Sequence, residues 1–416
     1  VTTGGIIYAE PNRQVVYGGG GGAAAASFPT SWHIASTGND AGDGSASSPL
    51  KTFAELVRRA RALNQPIVAN GTIQFDDASS EALDLGALPL DGAATWTIQG
   101  APPTVLATGA VSAVTAYNAG SGSFGVTGSI TDSSQSSSSF WTPFVGKLVI
   151  LTSGTNAGAW AWVDADLGSK AARLSPFWDP NFFSWITPTI GDAYEIVDIV
   201  TLSGFIGTFG RGDGVVNVKQ LHFTGLVYHY GGQTTFAACR FDNTANFFST
   251  LYLDLFGCDF AADVTFQSKN DQGYVDACRF GARLRMFGGT IQLSTHCLFS
   301  GASAIIDHKG GVLIVEDDVA MVGFTSVPIR LVNFYGPAYL NLLGRIYGAA
   351  GSNPAWVVQT DAPATVALSD TAKCPRLAAG SSGYASLGGT TKATVSTVNT
   401  ASVLTANGAG WIYPAI

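Results

Sequence analysis

Four of the five cysteines in this sequence, Cys239, Cys258, Cys278 and Cys297, recur at intervals of 19, 20 and 19 residues. Cysteines can hold zinc, form disulfides or act as nucleophilic thiols. Zinc needs ligands that converge on one point, usually from closely spaced pairs, and single cysteines this far apart fit that poorly. Disulfides along a stack demand specific geometry. Reactive thiols are a third alternative. The fourth reading is structural: a reduced column of small, soft hydrophobes inside a repeating coil.

Other residues could carry chemistry. Hydrolysis of a glycosidic bond uses two carboxylates roughly 5–9.5 Å apart. The candidate runs are Asp76-Asp77 and Glu316-Asp317-Asp318. Adjacent residues on a strand point to opposite faces, so neither run makes a natural acid/base pair and no catalytic residue is assigned. Arg211-Gly212-Asp213 spells an integrin-type adhesion tripeptide, but three residues match readily by chance. No Lys-Ser/Thr follows those glycines, so they form no phosphate loop. Aromatic residues are the better hint of a ligand. Tyr228, His229 and Tyr230 are predicted to lie in a turn between repeats, and Trp178, Phe182, Phe183 and Trp185 to cluster together. Exposed aromatics stack on sugar faces or fill protein interfaces; internal packing is the alternative.

Elements must position these residues, and a repeat supplies them. Leu221-His222-Phe223, Cys239-Arg240-Phe241, Cys258-Asp259-Phe260, Cys278-Arg279-Phe280 and Cys297-Leu298-Phe299 share one pattern, and Val319 extends the series. Stacked parallel coils place equivalent residues about 4.8 Å apart. The cysteines and Phe223, Phe241, Phe260, Phe280 and Phe299 then face inward, and the residue between them faces out. That outward column reads His222, Arg240, Asp259, Arg279, Leu298, with Asp259 between two arginines. It is expected to be a solvated charge ladder; a substrate-binding column is the alternative. The fold expected is all-β: a right-handed, single-stranded parallel β-helix.

The start of the folded region agrees. Trp32 to Ser36 reads as a strand, and a turn-rich stretch runs on to Ser48-Pro49. Thr52 and Glu55 form a predicted capping box for an amphipathic helix carrying Phe53, Leu56, Val57, Ala60 and Leu63 on one face and Arg58, Arg59 and Arg61 on the other. Strands follow at Thr72–Phe75 and Thr95–Gly100. The strand ending at Ser36, then Thr37-Gly38-Asn39-Asp40, Asp43-Gly44, Ser48-Pro49 and Lys51-Thr52-Phe53 resemble the N-terminal signature of pectate-lyase-like (pectin-lyase-fold) β-helix proteins, including many bacteriophage tailspikes. The resemblance covers about 70 residues. It implies the fold and an N-terminal capping helix, and it implies parallel trimers of the tailspike kind. It says little about a reaction. Polygalacturonase-like relatives carry Gly-His-Gly, but His33, His222, His229, His296 and His308 all lie in other contexts, and no calcium-binding acidic set beside an arginine is evident.

Residues 104–202 break the pattern. The order Gly146, Val149, Ser153-Gly154, Asn156-Ala157-Gly158, then Gly191-Asp192-Ala193-Tyr194-Glu195-Ile196 is similar to a small module recurrent in phage tail and virion proteins. The expected organisation is an N-terminal arm (1–30), a cap with first rungs (31–103), an inserted small β-barrel or sandwich (104–202), the main β-helix (203–374) and a C-terminal cap or oligomerisation tail without rungs of its own (375–416).

The 416 residues carry a formal net charge of -8, and only 12% are charged. That balance argues against nucleic acid and anionic membranes as partners. No apolar run is long enough to span a bilayer, and Val1 to Gly5 show neither a basic nor an apolar leader region. No metal centre and no cofactor are expected. The function expected is that of a structural, surface-exposed component of a phage or phage-like particle, of tailspike or fibre type, adhering to host surface polysaccharide. Its partners would be copies of itself, most simply a homotrimer, and other particle proteins through its termini. It would be assembled in the host cytoplasm and reside on the virion or extracellular particle. A polysaccharide-degrading hydrolase or lyase of the same architecture, and a bacterial surface or secreted β-helix adhesin, are the alternatives.

Overall fold

The structure is a computed structural model. It describes residues 28–322 except 91–93, 116–127, 182–183, 209–213, 249–251, 268–271, 295, 302–305 and 317–318; beyond 322 it describes the backbone of strands up to Tyr413. The Gly-rich arm, the Arg211-Gly212-Asp213 tripeptide, Asp317 and Asp318 lie outside the described residues.

The chain is an all-β solenoid. One 13-stranded parallel sheet runs its length, beginning Ser31–Ile34, Gly71–Phe75, Thr95–Gly100, Val215–Lys219, Gln233–Ala237, Tyr252–Phe256, Gln272–Asp276 and Thr290–Leu293. The opposing strands are shorter and form two parallel ladders. One stacks Leu221–Phe223, Arg240–Phe241, Asp259–Phe260, Arg279–Phe280 and Cys297–Ser300; the other stacks Val227–Tyr230, Ala245–Phe248, Val264–Gln267 and Leu284–Met286. Val200–Thr208 pairs with the first strand of both.

The corner between the long sheet and the first ladder explains the Cys-x-Phe pattern. Gln220, Ala238, Gly257 and Ala277 turn it with φ of 53°, 52°, 54° and 53°. This left-handed conformation is awkward for residues with a Cβ. The next residue, Leu221, Cys239, Cys258 or Cys278, points inward and is fully buried, and Cys297 holds the same place on the following rung; the cysteines are thiols outside any disulfide. Their thiols donate to carbonyls of the preceding rung, those of Val218, Phe236, Leu255 and Val275, at 3.4–3.7 Å. A cysteine thus fills the corner and also supplies a weak donor. Two residues on, Phe223, Phe241, Phe260, Phe280 and Phe299 stack with centroids 5.5, 4.6, 5.2 and 4.6 Å apart. Burying each such ring contributes about 2–3 kcal/mol.

The helix α1, Phe53–Ala62, buries Phe53, Leu56 and Ala60 in the same core as Trp32, Ile34, Leu50 and Ile73. The expected capping box is only half formed. Thr52 Oγ1 accepts from Glu55 N at 3.1 Å, but Asp40 takes the Thr52 N–H and Glu55 turns instead to Arg58 and Arg59. Two arginines one turn away compete better for the carboxylate than one amide does.

Between Thr95–Gly100 and Val215–Lys219 the chain leaves the solenoid, yet those two strands pair directly in parallel. The excursion forms an antiparallel sheet ordered Thr104–Ala110, Ala193–Asp198, Leu148–Leu151, Trp160–Gly168, Ala171–Leu174, Ser129–Thr131, Ala113–Thr115. A hairpin of Phe177–Asp179 and Ser184–Ile186 hangs off Trp160. This sheet has its own core, in which Trp141 stacks on Tyr194 at 5.4 Å. Tyr194 donates to Asp132 at 2.8 Å, and burial together with that carboxylate pushes the phenol well above its ordinary pKa.

The tail corrects one expectation. Leu377–Ala379, Ala385–Gly388, Leu404–Ala406 and Ile412–Tyr413 continue both kinds of ladder in parallel. Their small residues hide the repeat, because they lack the large inward side chains that announce it upstream.

Candidate functional site

The outward column beside the cysteines is not a solvated ladder. It lies under the antiparallel sheet. The register places Asp259 between Arg240 and Arg279, but Asp259 and Leu298 are both 0% exposed. Arg279 Nη1 and Arg240 Nη1 reach Asp259 at 2.6 and 3.0 Å. Asp164, on Trp160–Gly168, then takes Arg279 Nε, Arg173 Nε and, at 2.6 Å, Ser300 Oγ. At the other end Arg240 bonds Asp242 at 2.7 Å, and Asp242 bonds His222 at 2.6 Å. Charges thus alternate from Arg173 through Asp164, Arg279, Asp259, Arg240 and Asp242 to His222. Burial opposes ionisation of Asp164, but Arg279 and Arg173 outweigh it and hold its carboxyl below the usual range. Burial likewise opposes the charge on Arg279, and Asp259 and Asp164 more than restore it.

Apolar contacts and close approaches complete this junction. Leu148, Trp162, Val197 and Ile199 pack on Ala238. Trp160 and Trp162 both donate to Gly257 O, at 3.3 and 2.7 Å. Trp178 stacks on Phe256 with centroids 4.9 Å apart and planes 4° off parallel. A Cβ on Gly257 would lie 2.3 Å from Trp160 Nε1, and one on Gly146 would lie 1.7 Å from Arg240 Nη1; Gly146 O accepts from Arg240 at 2.6 Å.

Five of the eight candidate ligand contacts are therefore reassigned. Arg240, Asp259, Arg279 and Trp178 are built into this junction. His229 lies in strand Val227–Tyr230 rather than a turn; it is fully buried among Phe205, Phe236 and Phe247, and desolvation lowers its pKa to about 3. Tyr228 and Tyr230 flank it on the outer face of the same strand, half-buried, with Tyr228 4.9 Å from Phe248. Trp185 pairs with Trp178 along the hairpin backbone, and its side chain is outside the described set. Asp76 and Asp77 are no acid/base pair: one accepts from His33 and Gln74, the other from Ser36. A cleft of about 110 Å³ beside Lys147, Asp198, His222 and Arg240 is well below the size of a usual ligand pocket. Its cations are already paired, Lys147 with Asp198 at 2.8 Å. Among the described residues no group of three or more His, Cys, Asp or Glu is placed to hold a metal ion, and no helix is long and apolar enough to cross a membrane.

A partly open polar–aromatic surface lies on the outer face of the long sheet, where Asp254 and Tyr274 are half-buried, Asp276 is buried and Trp178 covers Phe256. In Tyr252–Phe256 and Gln272–Asp276, Leu253, Leu255 and Val275 point inward, so Tyr252, Asp254, Tyr274 and Asp276 point outward. Tyr252 is 40% exposed and its ring lies 5.6 Å from that of Tyr274. Asp254 stands in register between Thr235 and Tyr274, and Gln292 follows. Asp254 Oδ1 is buried without a hydrogen-bond partner, and desolvation pushes its carboxyl up to about 6. Asp276 is diagonal to it on the next rung, opposite Phe256, and is buried. These four residues were not singled out from the sequence. Their signal was the strict alternation Tyr-Leu-Asp-Leu and Gly-Tyr-Val-Asp, whose tyrosines and aspartates each recur after 22 residues.

No protein-family model matches the chain, and no curated protein sequence matches it. Two solved structures are similar. One is described as a glycoside hydrolase, 11% identical, covering 92% of this chain and 96% of that one with a TM-score of 0.36. The other is the Pseudomonas phage phi297 tailspike, 14% identical, covering 77% of this chain and 68% of that one with a TM-score of 0.23. The solenoid assignment rests on the strand register described above.

Proposed function

We propose that this chain is a structural, surface-exposed component of a phage or phage-like particle, of tailspike or fibre type, and that it adheres to host surface glycan. The observation that carries the adhesive part is the partly open polar–aromatic strip on the outer face of the long sheet. There Tyr252 and Tyr274 offer rings for stacking on sugars. Thr235, Asp254 and Gln292 offer hydrogen-bonding groups at the regular spacing of stacked strands, about 4.8 Å. The resemblance of the segment Thr37–Phe53 to tailspike N-termini supports the particle assignment. In this reading the junction under the antiparallel sheet gives rigidity, and the chain partners copies of itself, as a trimer, and neighbouring particle proteins. A glycan array probed with the purified chain tests adhesion. Binding should appear and should fall with Tyr252→Ala or Tyr274→Ala; no binding to any glycan refutes it. Sedimentation at micromolar concentration tests assembly, and a clean monomer counts against the trimer.

One observation favours a second reading, cleavage of the polysaccharide. Desolvation pushes the Asp254 carboxyl up to about 6, the direction a general acid needs, and Asp276 lies on the next rung. Release of reducing ends from a bound glycan, abolished by Asp254→Asn, would establish it.

A further inference from the structure

The outer face of the second short-strand ladder is a separate surface, and its chemistry is ordered along the axis. Its central column runs Ile206, Tyr228, Asn246, Thr265, Arg285, Asp307 in register. The upstream end is apolar and aromatic. Ile206 is exposed, as is Leu226 at the corner before Tyr228. The half-buried rings of Tyr228 and Phe248 lie 4.9 Å apart. In the middle, Asn246 is half-buried and Gln267 exposed, while Thr265 is closed. The downstream end is cationic. One carboxylate, Asp263, serves two guanidinium groups, Arg285 Nη2 at 2.8 Å and Arg283 Nη2 at 3.2 Å. Asp263 also accepts from Arg283 N. A single guanidinium carries more N–H donors than a carboxylate has lone pairs to receive, so this pair keeps donors to spare. Lys309 pairs with Asp307 at 3.3 Å and lies 5.2 Å over the Phe287 ring. All three cations are open to a ligand, the side chains of Arg283, Arg285 and Lys309 being 42%, 28% and 31% exposed. In a chain of net charge -8 this end is locally positive, with those three cations against Asp263 and Asp307 among its described residues. The exposed Asp84 heads the column beside Ile206, five rungs or about 24 Å from Arg285, which is well beyond a Debye length at moderate salt.

We infer that this second face binds a glycan carrying an anionic substituent, a carboxylate or a phosphate. Arg283 and Arg285 hold the substituent, and planar guanidinium forks suit both oxyanions. Sugar rings of the same ligand stack on Tyr228 and Phe248, up to three rungs or about 14 Å from Arg285 along the axis. A neutral glycan meets the rings but gains nothing from the arginines. A densely charged polyanion such as nucleic acid draws its affinity from cations along its whole length, and the aromatic end of this face has none among its described residues. The choice of a glycan over an acidic peptide rests on the adhesion reading. The anionic character rests on this face alone, independently of the strip at Tyr252 and Tyr274.

Calorimetric titration of the full chain at pH 7 tests this with a mannuronate tetramer, its methyl ester, a mannose tetramer bearing one phosphate, the plain mannose tetramer and a tetraglutamate peptide. At least one anionic form should bind about tenfold tighter than its neutral counterpart, the preference that a hydrogen-bonded charge pair supports. Which of the two does so separates carboxylate from phosphate. High salt should shrink the preference. Arg283→Gln with Arg285→Gln should erase it and Arg285→Lys should retain part of it, with circular dichroism confirming that each variant is folded. Tyr228→Ala should weaken charged and neutral forms alike. Equal binding of charged and neutral forms, or a preference that survives the double arginine variant, overturns the anion site and leaves glycan adhesion standing. Tetraglutamate binding as tightly as the anionic tetramers overturns the glycan assignment in favour of an acidic peptide. Failure of every glycan on a broad array removes the adhesion reading itself.

Discussion

Asp164→Asn is the sharpest test of how the two parts of the chain are held together. The Asp164 side chain is 1% exposed and bonds Arg173, Arg279 and Ser300. The substitution keeps the volume and can keep the Ser300 bond, but it removes the charge that two arginines share. Deleting one partner of a buried pair costs about 3–5 kcal/mol, because the other charge stays buried. Arg279 keeps Asp259, and Arg173 is 19% exposed and can turn to water; the expected loss is therefore at the lower end, about 3 kcal/mol. It should appear in guanidinium unfolding followed by the fluorescence of Trp160, Trp162 and Trp178, which sit at the junction. The pH dependence has a definite sign. The folded carboxyl is held low, so its contribution is full above the ordinary carboxylate range and is lost as pH falls through the folded value. Wild type and variant should converge in strong acid. Replacing Asp164, Asp259 and Arg279 together by leucine or methionine should cost far less than the single change, since a packed apolar patch is free of desolvation. A single-variant loss below about 0.5 kcal/mol, the range of an exposed pair, would refute the buried clamp.

Gly257→Ala should loosen the same junction, because the new methyl meets Trp160 Nε1 at 2.3 Å in a backbone with φ of 54°; faster proteolysis within residues 104–198, with the solenoid intact, is the readout. His229 is held neutral by burial, with its pKa lowered to about 3, so stability is full above pH 6.5 and falls as pH drops toward that value. The loss should be about 2 kcal/mol at pH 5, and a His229→Phe variant should lack this phase in denaturant titrations at a series of pH values. Asp254 has the opposite sign: with its carboxyl pushed up to about 6, the wild type loses stability as pH rises from about 4 to 6. Asp254→Asn should then raise the unfolding free energy at pH 7.5 by about 1 kcal/mol once partial exposure is discounted, read as a higher melting temperature, and leave it unchanged at pH 4. The four buried cysteines, whose pKa is raised by desolvation at Cys239, Cys258 and Cys278, should label with a maleimide only after denaturation.

The inward half of this fold was readable because its side chains repeat where the core demands them. Cys258 and Phe260, or Cys278 and Phe280, cannot vary freely: each must fill a corner and a ring stack between two neighbours of the same kind. The spacing of about one rung per 19 residues follows from that constraint. It faded in the tail, where Leu377–Ala379 and Ala385–Gly388 continue the ladders with residues too small to mark their own period. His229 was misplaced for a related reason. A polar residue between two tyrosines suggests a turn, yet strand alternation with Val227 turns it inward, and burial simply keeps it neutral.

The outward half obeys no such constraint, and the column His222, Arg240, Asp259, Arg279, Leu298 shows why. Alternating charge on adjacent rungs is equally compatible with water or with a covering layer. What decides is Asp164, 115 residues away from Arg279 in sequence, and no local pattern ties the two. The converse holds for Tyr252, Asp254 and Tyr274. Their alternation places them outside, but it cannot say that no described residue supplies Asp254 Oδ1 with a donor. The covered column satisfies its charges internally and so contributes stability; the other leaves a buried carboxylate oxygen of Asp254 without a described donor and so contributes a cost. That cost, on a face that carries the exposed ring of Tyr252 and the half-buried ring of Tyr274, is one the fold does not need, and it is where local pattern and tertiary surroundings disagree most.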